Sequence, residues 1–277
     1  MTSLPLPMTT GRRLALLLGV PLALVLIAWA GLTEVAFAGV GSYPVRLAVP
    51  VRGSAVGLAA GAADMRVTQA AGSTLRLTGT ARYSLVRSTV TWHTTPSGVA
   101  VSPRCHFFLG ICSFSFHAVL PAGRRTVLSD GSGNVTLSGL TGPVTAGSGS
   151  GNLLANVLTG TVTLRTGSGN ITGGALSGPR VTLKAGSGNI AIDSLGSLDV
   201  VVSAGSGNID LSFSKAPARV RVSDSSGNVD VALPRGVRYQ VNATTDSGNR
   251  VVSVLTTSAP GHVITVTDGS GNVSVTY

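Results

Sequence analysis

Ten acidic side chains are the whole stock from which this 277-residue chain could build an acid–base or metal site, and Glu34 is its sole glutamate. Asp210 and Asp230 have the most suggestive spacing. Each stands two residues after the asparagine of a Ser-Gly-Asn step, so a regular repeat would set both facing outward on neighbouring strands, roughly 5 Å apart. Two carboxylates at that distance can form an acid/base pair or hold a cation. The plainer reading is two solvated carboxylates beside Lys215, Arg219 and Arg221. Asp130, Asp224 and Asp268 lie four residues before their asparagines and Asp246 three before, turn-flanking positions that suit Asx turns. The recurring turn residue is a neutral amide, unlike the aspartate of calcium-binding GGxGxD repeats, which argues against calcium. His93, His106, His117 and His262 do not recur in phase with the acids, and no GxSxG or phosphate-loop pattern appears. The expectation is a protein without catalytic residues, metal or cofactor.

The elements that would position these acids are announced by the Ser-Gly-Asn step itself. It occurs eight times, ending at Asn134, Asn152, Asn170, Asn189, Asn208, Asn228, Asn249 and Asn272, at spacings of 18, 18, 19, 19, 20, 21 and 23. A period near 20 marks stacked repeats, and other columns stay in phase with it. Eight residues before each asparagine from the second onward stand Val144, Val162, Val181, Val200, Val220, Val241 and Ile264. One residue after stand Val135, Leu153, Ile171, Ile190, Ile209, Val229, Arg250 and Val273, with Arg250 the one failure. Each repeat is therefore two strands of period-two alternation, one entering and one leaving the turn. At the turn, glycine would supply positive φ, asparagine would tolerate the left-handed region, and stacked amides could bond as a ladder. The fold expected is an all-β, parallel β-helix-like solenoid of about eight coils, with an antiparallel meander as the alternative of equal periodicity.

Residues 41–130 lack the step but carry short alternating runs such as STLRLTG and STVTWHT. They read as an N-terminal β region, partly irregular, that covers the first coil; no cap is evident at the other end, where the chain stops at Tyr277. Before them, Arg12 and Arg13 precede nineteen uncharged residues, Leu14–Leu32. Such a stretch spans roughly 28 Å as a helix, close to a bilayer core, and the flanking arginines predict a cytoplasmic N-terminus. A signal peptide cut after Ala36-Phe37-Ala38 is the alternative, disfavoured by the length of the apolar stretch. The domains expected are a cytoplasmic tail (1–13), a transmembrane helix (14–32), the N-terminal β region (33–125) and the solenoid (126–277). In an exported chain Cys105 and Cys112 most simply form one disulfide. Free thiols, or a metal site with His106 and His117, are the alternatives; the spacing does not match zinc ligation.

The anchor followed by VLPAGRRTVLSDGSGNVTLSGLTGPVTAGSGSGN resembles the bacterial "putative adhesin" family of β-strand-repeat domains of unknown function (number 4097), over roughly residues 100–277. That resemblance implies a β-helical extracytoplasmic domain and no transferable catalytic residues. With a formal charge of +10, the expected partners are an anionic wall polymer or an envelope protein, together with the membrane; nucleic acid is excluded by the compartment. Three functions compete on these grounds. They are a non-catalytic adhesin or envelope interaction module, an envelope-stress regulatory component acting through a membrane partner, and a polysaccharide-acting enzyme using Asp210 and Asp230.

Overall fold

The computed structural model describes residues 10–38, 40–95, 98–106, 112–259 and 261–277. Among the described residues one helix, α1 (Thr10–Ala38), precedes 23 strands. The first seven are β1 (Val40–Pro50), β2 (Ala55–Gly61), β3 (Ala63–Ala70), β4 (Thr74–Ser84), β5 (Thr89–Thr95), β6 (Gly98–Arg104) and β7 (Cys112–Pro121). The repeats supply β8 (Arg125–Asp130), β9 (Val135–Ser138), β10 (Val144–Ser148), β11 (Leu153–Leu158), β12 (Val162–Thr166), β13 (Ile171–Leu176), β14 (Arg180–Ala185) and β15 (Ile190–Leu195). They continue as β16 (Asp199–Ala204), β17 (Ile209–Phe213), β18 (Arg219–Ser226), β19 (Val229–Ala232), β20 (Gln240–Ser247), β21 (Arg250–Val252), β22 (Val263–Ser270) and β23 (Val273–Thr276).

Strands entering the turn stack into one sheet of eleven and strands leaving it into another of twelve. The pairings among β8 to β23 are parallel, so the periodicity is that of a solenoid and not of a meander. The apolar columns pair like with like: Val144 lies level with Val162, Val162 with Val181, Ile171 with Ile190 and Ile190 with Ile209. These side chains are almost wholly buried between the sheets. Each is worth roughly 1.5–3 kcal/mol in transfer from water, but a single coil has nothing on its open faces to bury them against, so the array folds as a unit.

At both ends, order in the chain and order in space part company. β2 and β3 lie directly beneath β8 and β9 and extend the stack by a coil without a Ser-Gly-Asn step. β6 and β7 form the next coil down, although they come later in the chain. Antiparallel β4 and β1 then continue one sheet, and antiparallel β5 ends the other. At the far end β22 and β23 slot between β18–β19 and β20–β21. The expectation of an uncapped C-terminus is thereby corrected: Val273 and Val275 are buried inside the stack, and the coil before them in sequence covers it. Arg250, the failure in the apolar column, belongs to that outermost coil and is exposed, reaching back to the Ala243 carbonyl.

The turn glycines answer to two causes: Gly207, Gly227, Gly248 and Gly271 take the expected positive φ, between 146° and 158°, and all eight corners stack closely. A Cβ on Gly188 would lie 1.8 Å from the Gly169 carbonyl oxygen of the coil below, and one on Gly169 2.0 Å from that of Gly151. Close stacking of backbone on backbone is thus a constraint beside the positive φ, and none of the turn asparagines takes a positive φ. Further positive-φ positions fall five residues after the asparagine, at Gly139, Val157, Ala175 and Ser194, with φ between 56° and 69°. There the strand kinks so that the following Leu140, Leu158, Leu176 and Leu195 turn into the core.

Side chains of α1 are described over residues 17–31, and all of them are exposed. Among the described residues no helix is long and apolar enough to cross a membrane; the stretch assigned to the membrane, 14–32, runs past those described side chains at both ends.

Candidate functional site

The Ser-Gly-Asn corners align along one edge of the stack and are bonded amide to amide. The Asn152 backbone N–H donates to Asn134 Oδ1 (3.3 Å), Asn170 to Asn152 (2.9 Å), Asn189 to Asn170 (2.8 Å), Asn208 to Asn189 (2.8 Å) and Asn228 to Asn208 (2.9 Å). The ladder then follows space rather than sequence: Asn272 donates to Asn228 (3.1 Å) and Asn249 to Asn272 (3.0 Å). Its first acceptor is Asp64, whose Oδ1 takes the Asn134 N–H at 2.9 Å. Sequence reasoning missed Asp64. The signal was there in Gly61-Ala62-Ala63-Asp64, a corner that ends on a side chain of asparagine's shape with an acceptor oxygen in the same place.

Four residues before each asparagine runs a second column, facing inward. Ser148 Oγ accepts the Gly151 N–H at 2.9 Å and Thr166 Oγ1 the Gly169 N–H at 3.0 Å. Asp130, Asp224 and Asp268, turn-flanking as expected, occupy this column and are almost fully buried. Asp224 does accept the Ser225 N–H at 2.9 Å, yet its Oδ2 and the Oδ1 of Asp268, level with it in the next coil, have no partner. Burial raises the Asp130 and Asp224 carboxyls above the ordinary range. Ser148 and local backbone N–H groups oppose this at Asp130; at Asp224 backbone donors oppose it and the charge of Asp268 adds to it.

Asp210 and Asp230 are level with one another on β17 and β19, exposed on the outer face of the twelve-stranded sheet. Partial desolvation, then the charges of Asp230 and of Asp193 on the neighbouring strand, raise the Asp210 carboxyl. The pair is not flanked by Arg219 and Arg221 as expected; those lie on β18, in the opposite sheet. The repeats thus sort their charge by face. Asp193, Asp210 and Asp230 mark one face. The other carries Arg125, Arg165, Arg180, Lys184, Arg219 and Arg221 against Asp246, exposed on the outermost strand β20, and Asp199, which accepts from Arg180 Nε at 3.0 Å. Arg165 and Lys184, each five residues before its asparagine, are level on adjacent strands. They border an open trough of about 500 Å³ with Gly147, Gly149, Gly167 and Gly186 along it. Two cations roughly 5 Å apart can take phosphate or carboxylate, and Ser129, Asp130, Ser148 and Thr166 line the trough with them.

Cys105 and Cys112 are joined, with Cα atoms 6.0 Å apart, tying the end of β6 to the start of β7. His106 Nε2 sits 2.9 Å from Thr89 Oγ1 and His117 Nε2 3.0 Å from Thr68 Oγ1. Among the described residues no three His, Cys, Asp or Glu side chains gather so as to hold a metal ion.

Stacked parallel coils with amide-bonded corners define a repetitive all-β solenoid. Residues 124–276 match the Toastrack DUF4097 family, and the chain belongs to it. A "putative adhesin" from Parabacteroides merdae shares the fold, with a TM-score of 0.55 and 14% identity over 86% of this chain and 96% of that one. So does a "putative lipid binding protein" from Parabacteroides distasonis, with a TM-score of 0.54 and 14% identity over 85% and 96%. No curated protein matches the chain.

Proposed function

We propose that the chain is a membrane-anchored, extracytoplasmic interaction module, non-catalytic, whose basic sheet face binds an anionic wall polymer. The observation that carries this is the sorting of charge: six cations on one flat face, with Arg165 and Lys184 at the trough. A repeating polyanion suits a surface whose cations recur at the strand spacing of about 4.8 Å. Anchoring is supported by α1, which leaves Leu17, Leu18, Leu22, Leu24, Ile27 and Trp29 exposed. In water that face would be costly, and in lipid it would not. The adhesin description of the P. merdae relative is consistent with a binding role. A hydrolase is disfavoured because Asp210 and Asp230 lie on an open face where no wall excludes water.

Binding of the detergent-solubilised full chain to a phosphate-bearing wall polymer tests the reading. Wild type should bind and lose affinity steeply with salt, and Arg165→Glu/Lys184→Glu should weaken binding by about tenfold or more. Equal binding by the double variant, or preference for an uncharged glycan, would refute the assignment of this face.

A further inference from the structure

The N-terminal end of the stack carries a surface the repeats do not have. Between residues 40 and 123 there are seven arginines and a single acid, Asp64, which is engaged in the corner ladder. Arg46, Arg82 and Arg87 crowd the last strands. The loop between β4 and β5 projects Leu85 and Val86, 43% and 45% exposed, and Leu85 holds a φ of 62° at its tip. Beside it Trp92 is 53% exposed on β5. Tyr43, Leu47, Val90 and Trp92, with Arg46 and Arg87, line a cavity of about 230 Å³ between the two terminal strands. Arg87 lies over the Tyr43 ring at 4.1 Å, and the Tyr43 hydroxyl donates to the Ser88 carbonyl at 2.7 Å, fixing the loop to β1.

Connectivity says what faces this end. Val40 pairs with Ser84, and Ala38, the last residue of α1, is within about 7 Å of Val40, at the strand end where the loop begins. β4 runs antiparallel to β1 and therefore back toward the helix; Leu85 and Val86 are the first residues beyond it on that side. The interfacial zone of a bilayer is itself roughly 5–8 Å deep on each side. Apolar tips, an indole and arginines around an apolar cavity are the chemistry of that zone: rings and aliphatic tips enter it, and guanidinium groups hold phosphate.

We infer that this end of the stack seats on an anionic phospholipid surface, with Leu85, Val86 and Trp92 in the interfacial layer and Arg46 and Arg87 on the headgroups. The inference rests on the anchored reading above and adds to it a fixed orientation: the coils stand up from the membrane, and the basic face of the repeats is held off it.

The test uses the full chain reconstituted into vesicles. Both native cysteines are bonded to each other, so a single introduced cysteine can carry an environment-sensitive dye. Dyes at Val86→Cys, at Leu24→Cys in the helix and at Val251→Cys on the far coil are compared for quenching by lipids with a nitroxide near the headgroup. The expected result in mixed phosphatidylglycerol and phosphatidylcholine vesicles is quenching at 86 and 24 and none at 251. Arg46→Glu/Arg87→Glu should then cut quenching at 86 by about twofold or more and leave 24 unchanged. Quenching at 24 without quenching at 86 overturns the seat and leaves the anchor standing. Absence of quenching at both overturns the anchor, and the seat with it.

Discussion

The middle of the stack and its ends face one problem under different constraints. In the middle, every coil has a copy of itself above and below, so one local solution repeats: β-branched residues inward, glycine where backbones nearly touch, an amide at the corner. At an end, a coil of that kind would offer unpaired strand edges and a bare apolar face to any other chain. Both ends escape by the same manoeuvre. The chain lays down a coil, leaves it, and returns to insert another coil out of order, β6–β7 outside β2–β3 and β22–β23 inside β20–β21. The outermost coil is then free to depart from the repeat, as it does with antiparallel strands at one end and Arg250 at the other. Interior coils are interchangeable; terminal coils are not.

The sharpest way to break that comparison is to place the same methyl group in each region. Gly188→Ala in the interior forces a Cβ to 1.8 Å from a backbone carbonyl that the stack cannot move without opening adjacent coils. A loss of about 3 kcal/mol or more is expected in denaturant unfolding. Gly261→Ala, in a loop of the terminal coil with open space around it, should change stability by less than about 0.5 kcal/mol. Equal effects would mean that the close approach of the corners is not what selects glycine.

A smaller contrast uses one repeat position, three residues after the asparagine. Val231→Ala empties a site buried on both sides and should cost about 2–3 kcal/mol, whereas Val252→Ala on the outermost coil should cost under about 1 kcal/mol. Comparable losses would show that the outer coil is as tightly enclosed as the inner ones. The same column shows what the sequence could reveal. Period, phase and inward faces were legible because each is a local rule repeated eight times: Val144, Val162 and Val181 announce themselves together. Coil order was not, because β20–β21 and β22–β23 carry the same signature and differ only in which neighbour they meet. The misfit at Arg250 and the long spacings of 21 and 23 were its traces. Charge sorting was also hidden. Asp210 and Arg221 are near in sequence, but the corner between them sends their strands to opposite sheets, and nearness in the chain was mistaken for nearness in space.

Asp224 lies level with Asp268 where the regular array meets its swapped end, and the titration of Asp224 should register that junction. Burial, helped by Asp268, holds the Asp224 carboxyl above its ordinary value near 3.8 in the folded state. The folded protein therefore binds this proton more tightly than the unfolded chain. Stability is lost as pH rises from the ordinary carboxylate range through the raised folded value, and the penalty is fully present above it. Asp224→Asn keeps an acceptor for the Ser225 N–H and removes the charge. It should raise the melting temperature at pH 7, with the gap over wild type closing as the pH falls toward about 4. A variant less stable than wild type at neutral pH would mean that the carboxylate is held by a counter-charge in solution.

The weakest expected effect is the most specific to chain order. Each interior amide oxygen receives the N–H of one neighbouring corner, so Asn189→Ala leaves the Asn208 N–H without the acceptor it has at 2.8 Å. The corner is solvent-exposed and water can substitute, which limits the loss to about 0.5–1.5 kcal/mol. In sequence Asn249 is an interior corner too, and sequence order would give its variant the same cost. In space it ends the ladder: its N–H donates to Asn272, and its position in the outermost coil leaves no further corner to receive. Asn249→Ala should therefore be close to neutral while Asn272→Ala, the last corner in the chain, matches Asn189→Ala. Denaturant midpoints of the three variants, measured together, decide between an array ordered by sequence and one whose final coil is inserted beneath the penultimate one.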